Sequence, residues 1–373
     1  MPLEVRPVRG LMARRRFVDF PFRLFANDPE WVPPLRLTVS DRISPRYPAQ
    51  DHQQTQLWMA YRRGRPVGRV GACIDRLYNE LHDESWGWVG FFESFDDQDV
   101  AHALLDTACS WAADHGVATC VGPASFTTND ECGLLVEGFE HPPLVQTPHN
   151  PPYYERLWTG SGWAPAMDLW GWWYRRETVG LSERQRAVMD RIKKRADAHV
   201  RSLHMANYDA EVARLFDLYN QTWAGNWGFV PMAKREIDHL AKGLKRVIDP
   251  ELMLAVERSD GEALAVALCL PDVNEVLRGV RSGRLLPFGW LRLLRGLPKA
   301  TRARIFILGV RPEQQNRALG VLLYQELTDR LKGKGMLGAE ASWILSTNKP
   351  MNSAIEGVGG VHYKTWRLYR REL

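Results

Sequence analysis

The sequence predicts an α/β (α+β) fold of two tandem modules, each with a mixed central sheet flanked by helices. The chain has 373 residues, more than twice the length of an ordinary domain of about 150 residues. Residues 25–33 (FANDPEWVP) resemble 223–231 (WAGNWGFVP), and residues 150–163 resemble 348–361, both at an offset of 198 residues. Because a repeated offset is typical of duplication, we expect two copies of one module.

The predicted boundaries are 1–177 for the N-terminal module, 178–198 for a connecting helix and 199–373 for the C-terminal module. The connecting segment is charged, has helical spacing and contains neither Gly nor Pro after Gly180. We therefore expect a helix packed on the modules rather than a loose linker.

Strand and helix patterns follow one another in the same order in both modules, which predicts a sheet covered by helices. The C-terminal module has predicted strand 199–205, helices 209–223 and 234–248, hairpin strands 251–258 and 262–270, strand 304–310, helix 316–332, strand 339–345, a short helix and a terminal strand pair. The N-terminal module has a predicted hairpin at 58–75, strand 86–94, helix 98–115, strand 118–123, segment 150–160 and strand 167–176.

Composition and charge exclude several classes of protein. Apolar residues make up 45% and charged residues 25%, which excludes disordered, collagen-like and fibrous chains. The net charge of +5 is too small to indicate nucleic-acid binding. No apolar run reaches the length of a membrane span, and charges recur throughout the first residues, so we expect a cytoplasmic protein.

Cysteine and histidine spacing predicts no disulfide framework and no metal. The five cysteines include no CxxC pair, and no HExxH motif occurs. We therefore expect reduced, mostly buried thiols.

The junction after strand 304–310 has the features of an anion site. A buried strand ends at Val310, and a helix begins about ten residues later. Backbone N–H groups at a helix start attract anions, and Arg317 adds a positive charge. The small residues Ala318 and Gly320 let a ligand approach the backbone. The alternative is an ordinary strand–loop–helix connection that keeps small residues for packing.

The series V-x-P-E-x-Q-x-x-A-x-G at this junction resembles motif A of the GNAT superfamily, the Gcn5-related N-acetyltransferases. That motif reads Gln/Arg-x-x-Gly-x-Gly/Ala, and its amides hold the pyrophosphate of coenzyme A. Gln315, Ala318 and Gly320 occupy its positions, with Ala in place of the usual middle Gly. The segment after residue 339 is similar to the GNAT order of strand, Asn, short helix and closing β-hairpin.

The whole chain resembles a bacterial tandem-GNAT family through the segments WVPP, GFFE, GP…GLLVEGF, NWGFVP, LPDVN and YKTWRLY. The resemblance implies an acyl-CoA donor and no metal. The residues that it places around acyl-CoA are Leu308, Gly309, Val310, Gln315, Asn316, Arg317, Ala318, Leu319, Gly320 and Asn348.

The N-terminal module differs at the matching junction, where Asp96, Asp97 and Asp99 precede a helix. Carboxylates at a helix start satisfy its dipole and repel pyrophosphate. We therefore expect acyl-CoA in the C-terminal module alone, with an acceptor-binding or scaffold role for the N-terminal module.

Acyl transfer to an amine needs a base for the amine and an acid for the departing thiolate. In the resembled superfamily a Tyr of the short helix often serves as the acid, but Ile355 stands at that place here. Asp272 can also close a turn after a strand, and the tyrosines can be core residues. The candidate acids are Tyr324, Glu356, Tyr363 and Tyr369, and the candidate bases are Glu340, Asp272 or a water chain.

A polar and aromatic cluster is the predicted acceptor wall. It comprises Asn220, Trp223, Asn226, Trp227 and, beside the donor strand, Asn274. The alternative for the first four is a helix C-terminus with an Asn cap.

Residues 276–304 form an insertion that lacks a counterpart of equal length in the N-terminal module. From Arg278 to Arg304 there are eight Lys or Arg residues and no Asp or Glu, interleaved with Leu, Phe and Trp. A basic amphipathic helix with Trp is typical of a membrane surface, so we expect peripheral membrane contact through 284–297. Coverage of a long acyl chain, packing on the core and a dimer interface are the alternatives.

The sequence thus predicts a CoA-dependent N-acyltransferase. A long-chain acyl donor and a lipid-like amine acceptor explain the insertion, whereas a small-molecule amine does not need it. The expected location is the cytoplasm, with peripheral attachment at the inner membrane face as an option. The alternatives are a FemABX-like aminoacyl transferase, which does not need the phosphate loop, and a catalytically silent acyl-CoA-binding protein.

Overall fold

The computed structural model describes residues 2–195, 197–317 and 319–373, without the side chains of 185, 189, 192–195 and 315–317. The first elements are β1 (Leu3–Pro7), α1 (Gly10–Leu24), α2 (Arg36–Arg42), β2 (Gln53–Arg62), β3 (Arg65–Asp75), α3 (Arg76–His82), β4 (Trp86–Ser94), α4 (Gln98–Asp114), β5 (Thr119–Gly122), β6 (Leu134–Glu137), α5 (Tyr153–Thr159) and β7 (Ala164–Arg175). The chain continues with α6 (Glu183–Arg195), β8 (Ala198–Ser202), α7 (Tyr208–Trp223), α8 (Lys234–Leu244), β9 (Met253–Arg258), β10 (Ala263–Pro271), α9 (Asn274–Leu277), α10 (Gly289–Gly296), β11 (Arg302–Val310), α11 (Leu319–Gly333), β12 (Gly338–Leu345), α12 (Lys349–Gly357) and β13 (Val361–Glu372). Short 3₁₀ helices lie at Pro48–Asp51, Met205–Asn207, Pro250–Leu252, Leu297–Lys299 and Pro312–Arg317.

The chain folds into two units with separate cores. The first unit comprises Met1–Leu169, Leu277–Leu293 and Lys364–Leu373, and the second comprises Trp170–Val276 and Leu294–Tyr363. Neither unit is therefore one continuous stretch of sequence. Much of the insertion and the last residues of the chain fold with the N-terminal segment.

The sheet of the first unit has the strand order β1-β2-β3-β4-β5-β13, and β6 also pairs with β13. Only β4 and β5 run parallel, and the other pairs are antiparallel. Helix α4 has apolar side chains at helical spacing that are fully buried: Val100, Leu104, Leu105, Ala108 and Ala112. Each buried leucine of this kind contributes about 2 kcal/mol relative to an exposed one.

The sheet of the second unit has the strand order β7-β12-β11-β10-β9-β8, with β11 and β12 parallel. Helix α11 packs on this sheet through the predicted leucine stripe, all of which is buried: Leu319, Leu322, Leu323, Leu327 and Leu331. Because β12 alternates, Ala339 and Ala341 join that core while Glu340 points to the other face of the sheet.

The parallel ladder is short in both units. Strands β11 and β12 pair only from 302–305 with 338–341, and β4 and β5 pair only from 86–88 with 119–121. In the second unit, both strands extend beyond the paired stretch, so they diverge toward their carboxyl ends.

In the first unit, the chain after β5 stays beside β4. The Ala124 N–H donates to the Val89 carbonyl (2.9 Å), and the Phe91 N–H donates to Ser125 Oγ (3.1 Å). The backbone lies so close that a Cβ atom on Gly90 would overlap the Ala124 carbonyl oxygen. Residues 123–126, which follow directly on β5, therefore continue alongside β4, and no gap opens between them.

The predicted terminal strand pair is wrong. A single strand, β13, runs from Val361 to Glu372. This segment contains no Gly, Pro, Asn or Asp, the residues that supply tight turns, so the chain does not reverse.

Candidate active site

A buried carboxylate forms the centre of the candidate site in the second unit. Glu340 of β12 lies opposite Arg304 of β11 in the parallel ladder and is fully buried. Tyr363 Oη donates a hydrogen bond to Glu340 Oε2, and Ser342 Oγ donates one to Glu340 Oε1. Both carboxylate oxygens thus accept a hydroxyl hydrogen bond.

The guanidinium of Arg304 completes this cluster. Its Nε lies 3.7 Å from Glu340 Oε1 and donates to Ser342 Oγ (3.0 Å), and its Nη2 donates to the Ser342 carbonyl (3.1 Å). The guanidinium also lies 4.6 Å from the centroid of the Trp343 ring. A buried charge needs such partners, because an unpaired one costs several kcal/mol. The cluster therefore keeps a negative group inside the fold.

Tyr363 connects the buried carboxylate to a less buried position. Its ring lies 5.9 Å from that of Trp173, and its residue is half-buried whereas Glu340 is fully buried. Burial, with the neighbouring Glu340 carboxylate, raises the pKa of Tyr363 well above its ordinary value. The hydroxyl thus holds its proton and donates it toward Glu340.

A second buried carboxyl, Asp272, lies just beyond β10. Arg302 Nη2 donates to Asp272 Oδ2 (2.8 Å), and the Asn274 N–H donates to Asp272 Oδ1 (3.2 Å). Burial raises the pKa of Asp272 to about 6, although the Arg302 charge opposes the rise. Asp272 also has the predicted turn role, because its side chain caps the turn at Asn274. Glu275 shares Arg302, accepting from its Nε (2.9 Å).

The structure does not bring Tyr324 or Tyr369 to this cluster. Tyr324 packs against Tyr174 (4.9 Å between ring centroids) in the core that contains Ala341, across the sheet from Glu340. Burial raises the pKa of Tyr324. Tyr369 lies in the first unit, where its hydroxyl donates to Glu155 (3.0 Å). Glu356 is exposed on α12.

Trp223 is the member of the predicted acceptor wall that reaches the donor strand. A Cβ on Gly309 would lie 2.5 Å from Trp223 Cζ3, so the indole covers the β11 backbone at this point. The Tyr219 ring packs beside the indole, tilted by 33°, with centroids 4.9 Å apart. Trp223 as a whole is half-buried. Trp223 therefore borders the half of β11 that diverges from β12.

The asparagines of the predicted acceptor wall have structural partners. Asn220 Nδ2 donates to the Met232 carbonyl and its Oδ1 accepts from the Met232 N–H, both at 3.0 Å. The Asn226 N–H donates to the Trp223 carbonyl (2.8 Å), which forms a turn. Trp227, on the same loop, is half-buried. This loop is thus held in place by its own polar groups.

The predicted phosphate loop is described only in part. Ala318 and the side chains of Gln315, Asn316 and Arg317 lie outside the described residues. The backbone of Pro312–Arg317 forms a 3₁₀ helix between β11 and α11. Leu308 and Val310 pack partly buried against the core, and Leu319 is fully buried in it.

Gly320 is not required by packing. A Cβ at this position would lie 3.5 Å from Val310 Cγ2 and 3.6 Å from Leu308 Cδ2, which are ordinary van der Waals distances. Gln314 Oε1 is buried beside this loop, with no hydrogen-bond partner among the described residues. Asn348 acts as the cap of α12, since its Oδ1 accepts from the Met351 N–H (3.2 Å).

Sequence reasoning missed Arg304 and Ser342 and misassigned Arg302. It counted both arginines with the insertion's surface charge, which is wrong because Arg304 is buried and Arg302 pairs with Asp272. The available signal was two arginines in an otherwise apolar strand, since strongly buried arginines need partners.

Comparison with known proteins decides the family. The chain is 38% identical over 381 residues to the bacterial ceramide synthase of Caulobacter vibrioides (strain NA1000 / CB15N), covering 100% of this chain and 98% of that protein. It is 33% identical over 365 residues to Protein YghO of Escherichia coli (strain K12), covering 96% and 93%. The chain belongs to this bacterial tandem-GNAT family.

Solved structures with the same fold support this assignment. A tandem GNAT protein from the clavulanic acid biosynthesis pathway aligns with a TM-score of 0.57 at 14% identity, covering 100% of this chain and 98% of that chain. A GCN5-related N-acetyltransferase from Sphaerobacter thermophilus aligns with a TM-score of 0.54 at 13% identity, covering 99% and 95%. No family model matches the chain. These likenesses show the GNAT fold.

The two units of this GNAT chain differ at equivalent ladder positions. The third residue pair of the parallel ladder is Trp88–Val121 in the first unit and Arg304–Glu340 in the second. Both members of the first pair are fully buried and apolar. At the helix start of the first unit, Asp97 caps α4 by accepting from the Val100 N–H (3.3 Å). The Arg304–Glu340 pair thus has an apolar counterpart in the ladder of the first unit.

Two searches of the described residues were negative. Within residues 2–195, 197–317 and 319–373, no helix has the length and apolar character needed to cross a membrane. The same ranges contain no group of three or more His, Cys, Asp or Glu side chains placed to hold a metal ion.

Proposed function

We propose that the chain is a CoA-dependent N-acyltransferase, with its donor site at residues 308–320 and Glu340 and Tyr363 as its proton-handling pair. The observation that carries the proposal is the buried Glu340 carboxylate, bonded by Tyr363, just below the point where β11 and β12 diverge. A buried charged cluster beside an open strand gap is typical of a functional site. The first unit has an apolar pair at that position, and its chain after β5 stays beside β4.

Acyl-CoA, when bound, supplies an acyl group activated as a thioester. The residues that would hold it are the backbone of 308–310 and the loop through Gly320. Gly320 fits this role, because a Cβ there would meet no obstacle within the fold. Close approach of a ligand therefore remains the reason for a glycine at this position.

The acceptor amine must lose a proton to become a nucleophile. Tyr363 Oη can take that proton while passing its own to Glu340 along the existing hydrogen bond. Ser342 and Arg304 hold the carboxylate in position during the transfer. Asp272, whose pKa is raised to about 6, is the alternative base.

A long-chain acyl donor and a lipid-like amine acceptor are the proposed substrates. The similarity to a bacterial ceramide synthase supports this choice, because a ceramide is a fatty acid joined to a long-chain amino alcohol through an amide bond. The exposed apolar side chains of the insertion, Leu286, Phe288 and Trp290, also support it. Peripheral membrane contact through 284–297 belongs to this proposal.

A catalytically silent acyl-CoA-binding protein is the second candidate. Ile355 favours it, because this buried apolar residue stands where the GNAT acid is expected. The two candidates share the donor site and differ in turnover.

The deciding experiment uses the purified full chain with acetyl-, medium-chain and long-chain acyl-CoA and a long-chain 2-amino alcohol. Amide formation is followed by mass spectrometry and thiol release by absorbance. We expect turnover that Glu340→Gln and Tyr363→Phe each reduce by about 100-fold or more, with little change in the KM for acyl-CoA. Tyr324→Phe, across the sheet, is the matched control and should change kcat less than about twofold. Binding of acyl-CoA without amide formation from any amine would instead support the silent protein.

A further inference from the structure

We propose that the first unit carries a two-part docking surface for an anionic phospholipid bilayer. One part is the insertion with Leu286, Phe288 and Trp290. The other part is the first turn of α1, with Leu11 and Met12. This inference rests on the membrane contact in the proposed function and extends it to a helix outside the insertion.

Hydrogen bonds join the insertion to the connection between α1 and α2. Arg278 Nη2 donates to Glu30 Oε2 (2.7 Å), and Arg281 Nη1 donates to the Trp31 carbonyl (3.0 Å). The Arg36 N–H donates to the Gly283 carbonyl (2.9 Å). These contacts hold the insertion on the N-terminal segment of its own unit.

Gly283 shows how close this packing is. Its φ of +63° is in the left-handed region, and a Cβ there would lie 2.5 Å from both Phe22 Cζ and the Pro34 carbonyl oxygen. Phe22 belongs to α1, and Arg36 stacks over its ring at 3.6 Å. The base of the insertion is thus built against α1 and α2, while its tip is free to meet another surface.

The tip of the insertion is apolar and exposed. Leu286 and Phe288 are 75% and 70% exposed, and Trp290 of α10 is 49% exposed. Trp290 Nε1 donates to the Pro287 carbonyl (3.0 Å), so the polar group of the indole is bonded within the insertion. Contiguous exposed apolar side chains of this size mark an interaction surface.

The first turn of α1 has the same character. Leu11 and Met12 are 76% and 65% exposed, whereas the helix packs on its unit through Phe17, Val18, Phe20 and Pro21. Leu11 and Met12 are therefore not needed for the core. Leu37, the residue after Arg36 on α2, is also exposed and lies next to the base of the insertion.

The charge of this surface indicates which partner binds it. Residues 9–16 read RGLMARRR, and the insertion adds Arg284 and Arg292, with no acidic residue in either stretch. A second copy of the chain would bring the same positive charge against this surface. Anionic lipid headgroups attract it, and Leu, Phe and Trp enter the interface beneath them. The complementary partner is thus an anionic bilayer.

The test is co-sedimentation of the full chain with vesicles of phosphatidylglycerol and phosphatidylcholine, compared with phosphatidylcholine alone. We expect binding that requires phosphatidylglycerol and weakens as NaCl is raised. Leu11→Glu with Met12→Glu, and separately Phe288→Glu with Trp290→Glu, should each reduce vesicle affinity by about tenfold or more. Leu81→Glu, an exposed leucine on α3, is the matched control and should bind as the wild type does.

Full binding by the Leu11→Glu, Met12→Glu variant would overturn the two-part surface. Light scattering is measured on the same samples, and a change in oligomeric mass without a change in vesicle binding would assign the surface to a second copy instead. Glu340→Gln should sediment with vesicles like the wild type. A failure of acyl transfer is therefore distinguishable from a failure of docking.

Discussion

Buried charge is the residue-scale feature on which the candidate site depends. Glu340 and Asp272 are fully buried, and each has an arginine and further hydrogen-bond donors around it. Such groups cost free energy to bury, so their presence in an otherwise apolar sheet calls for a reason beyond packing. The proton transfer proposed for Glu340 and Tyr363 would supply one.

The pH dependence of stability tests the burial of Asp272. Its pKa is raised to about 6, so the folded state holds this proton more tightly than the unfolded chain does. The resulting stabilisation is complete below about pH 4 and is lost as the pH rises through about 6. Relative to Asp272→Asn, the wild type should lose up to about 3 kcal/mol of unfolding free energy between about pH 4 and 7. Urea unfolding of both proteins at several pH values measures this, and a difference that does not vary with pH would contradict it.

Gly320 gives a test of the donor site that separates binding from folding. A methyl group fits at this position, and Ala favours a helix over Gly, so Gly320→Ala should leave the melting temperature unchanged or slightly raised. Acyl-CoA affinity should fall by about tenfold or more, because the methyl group keeps the ligand away from backbone donors.

The control is Gly333→Ala at the other end of α11, where a Cβ meets no atom within 4 Å. Calorimetric titration with acyl-CoA measures both variants. Wild-type affinity in Gly320→Ala would place the donor site elsewhere.

At the scale of elements, the two parallel strand pairs share a short ladder and differ beyond it. In the first unit, residues 123–126 continue from β5 alongside β4, whereas β11 and β12 of the second unit diverge beside a charged cluster. Duplication explains the shared geometry, and the different side chains explain why a site is proposed in one copy alone.

Gly90→Ala tests the close approach of residues 123–126 to β4 in the first unit. The added Cβ would overlap the Ala124 carbonyl, so the backbone must shift, and we expect a loss of about 3 kcal/mol of stability. Gly243→Ala, whose Cβ meets no atom within 4 Å in α8, should be neutral or stabilising. Denaturant unfolding compares the two variants. Equal stability would show that residues 123–126 can move away from β4 at little cost.

At the scale of the whole molecule, each folding unit combines segments that are far apart in the sequence. The last strand, β13, delivers Trp366, Leu368 and Tyr369 to the first unit, where all three are fully buried. Trp366 Nε1 donates to the Pro148 carbonyl (3.1 Å), and Tyr369 pairs with Gly122 of β5. The N-terminal segment is therefore incomplete without the C-terminus.

A fragment of residues 1–177 should consequently fail to fold by itself. It lacks three buried side chains worth about 2 kcal/mol each and leaves the other edge of β5 without β13, a loss comparable to the stability of a whole domain of about 5–15 kcal/mol. Circular dichroism and thermal unfolding of this fragment, compared with the full chain, measure the effect. A cooperative transition in the fragment would mean that β13 is dispensable to the first unit.

The amino-acid sequence by itself determined the fold class, the tandem arrangement and most of the elements. These follow from local patterns, such as the leucine stripe of α11 and the alternation of β12, which neighbouring residues reveal. It also marked Glu340, Asp272 and Tyr363 as candidates, but it offered Tyr324 and Tyr369 with equal weight. Only the tertiary structure decided among them, because the register of β11 with β12 sets which side chains share a face. The same holds for the burial of Arg304, for the close approach of residues 123–126 to Gly90 and for the place of β13 in the first unit. Each depends on contacts between residues far apart in the chain.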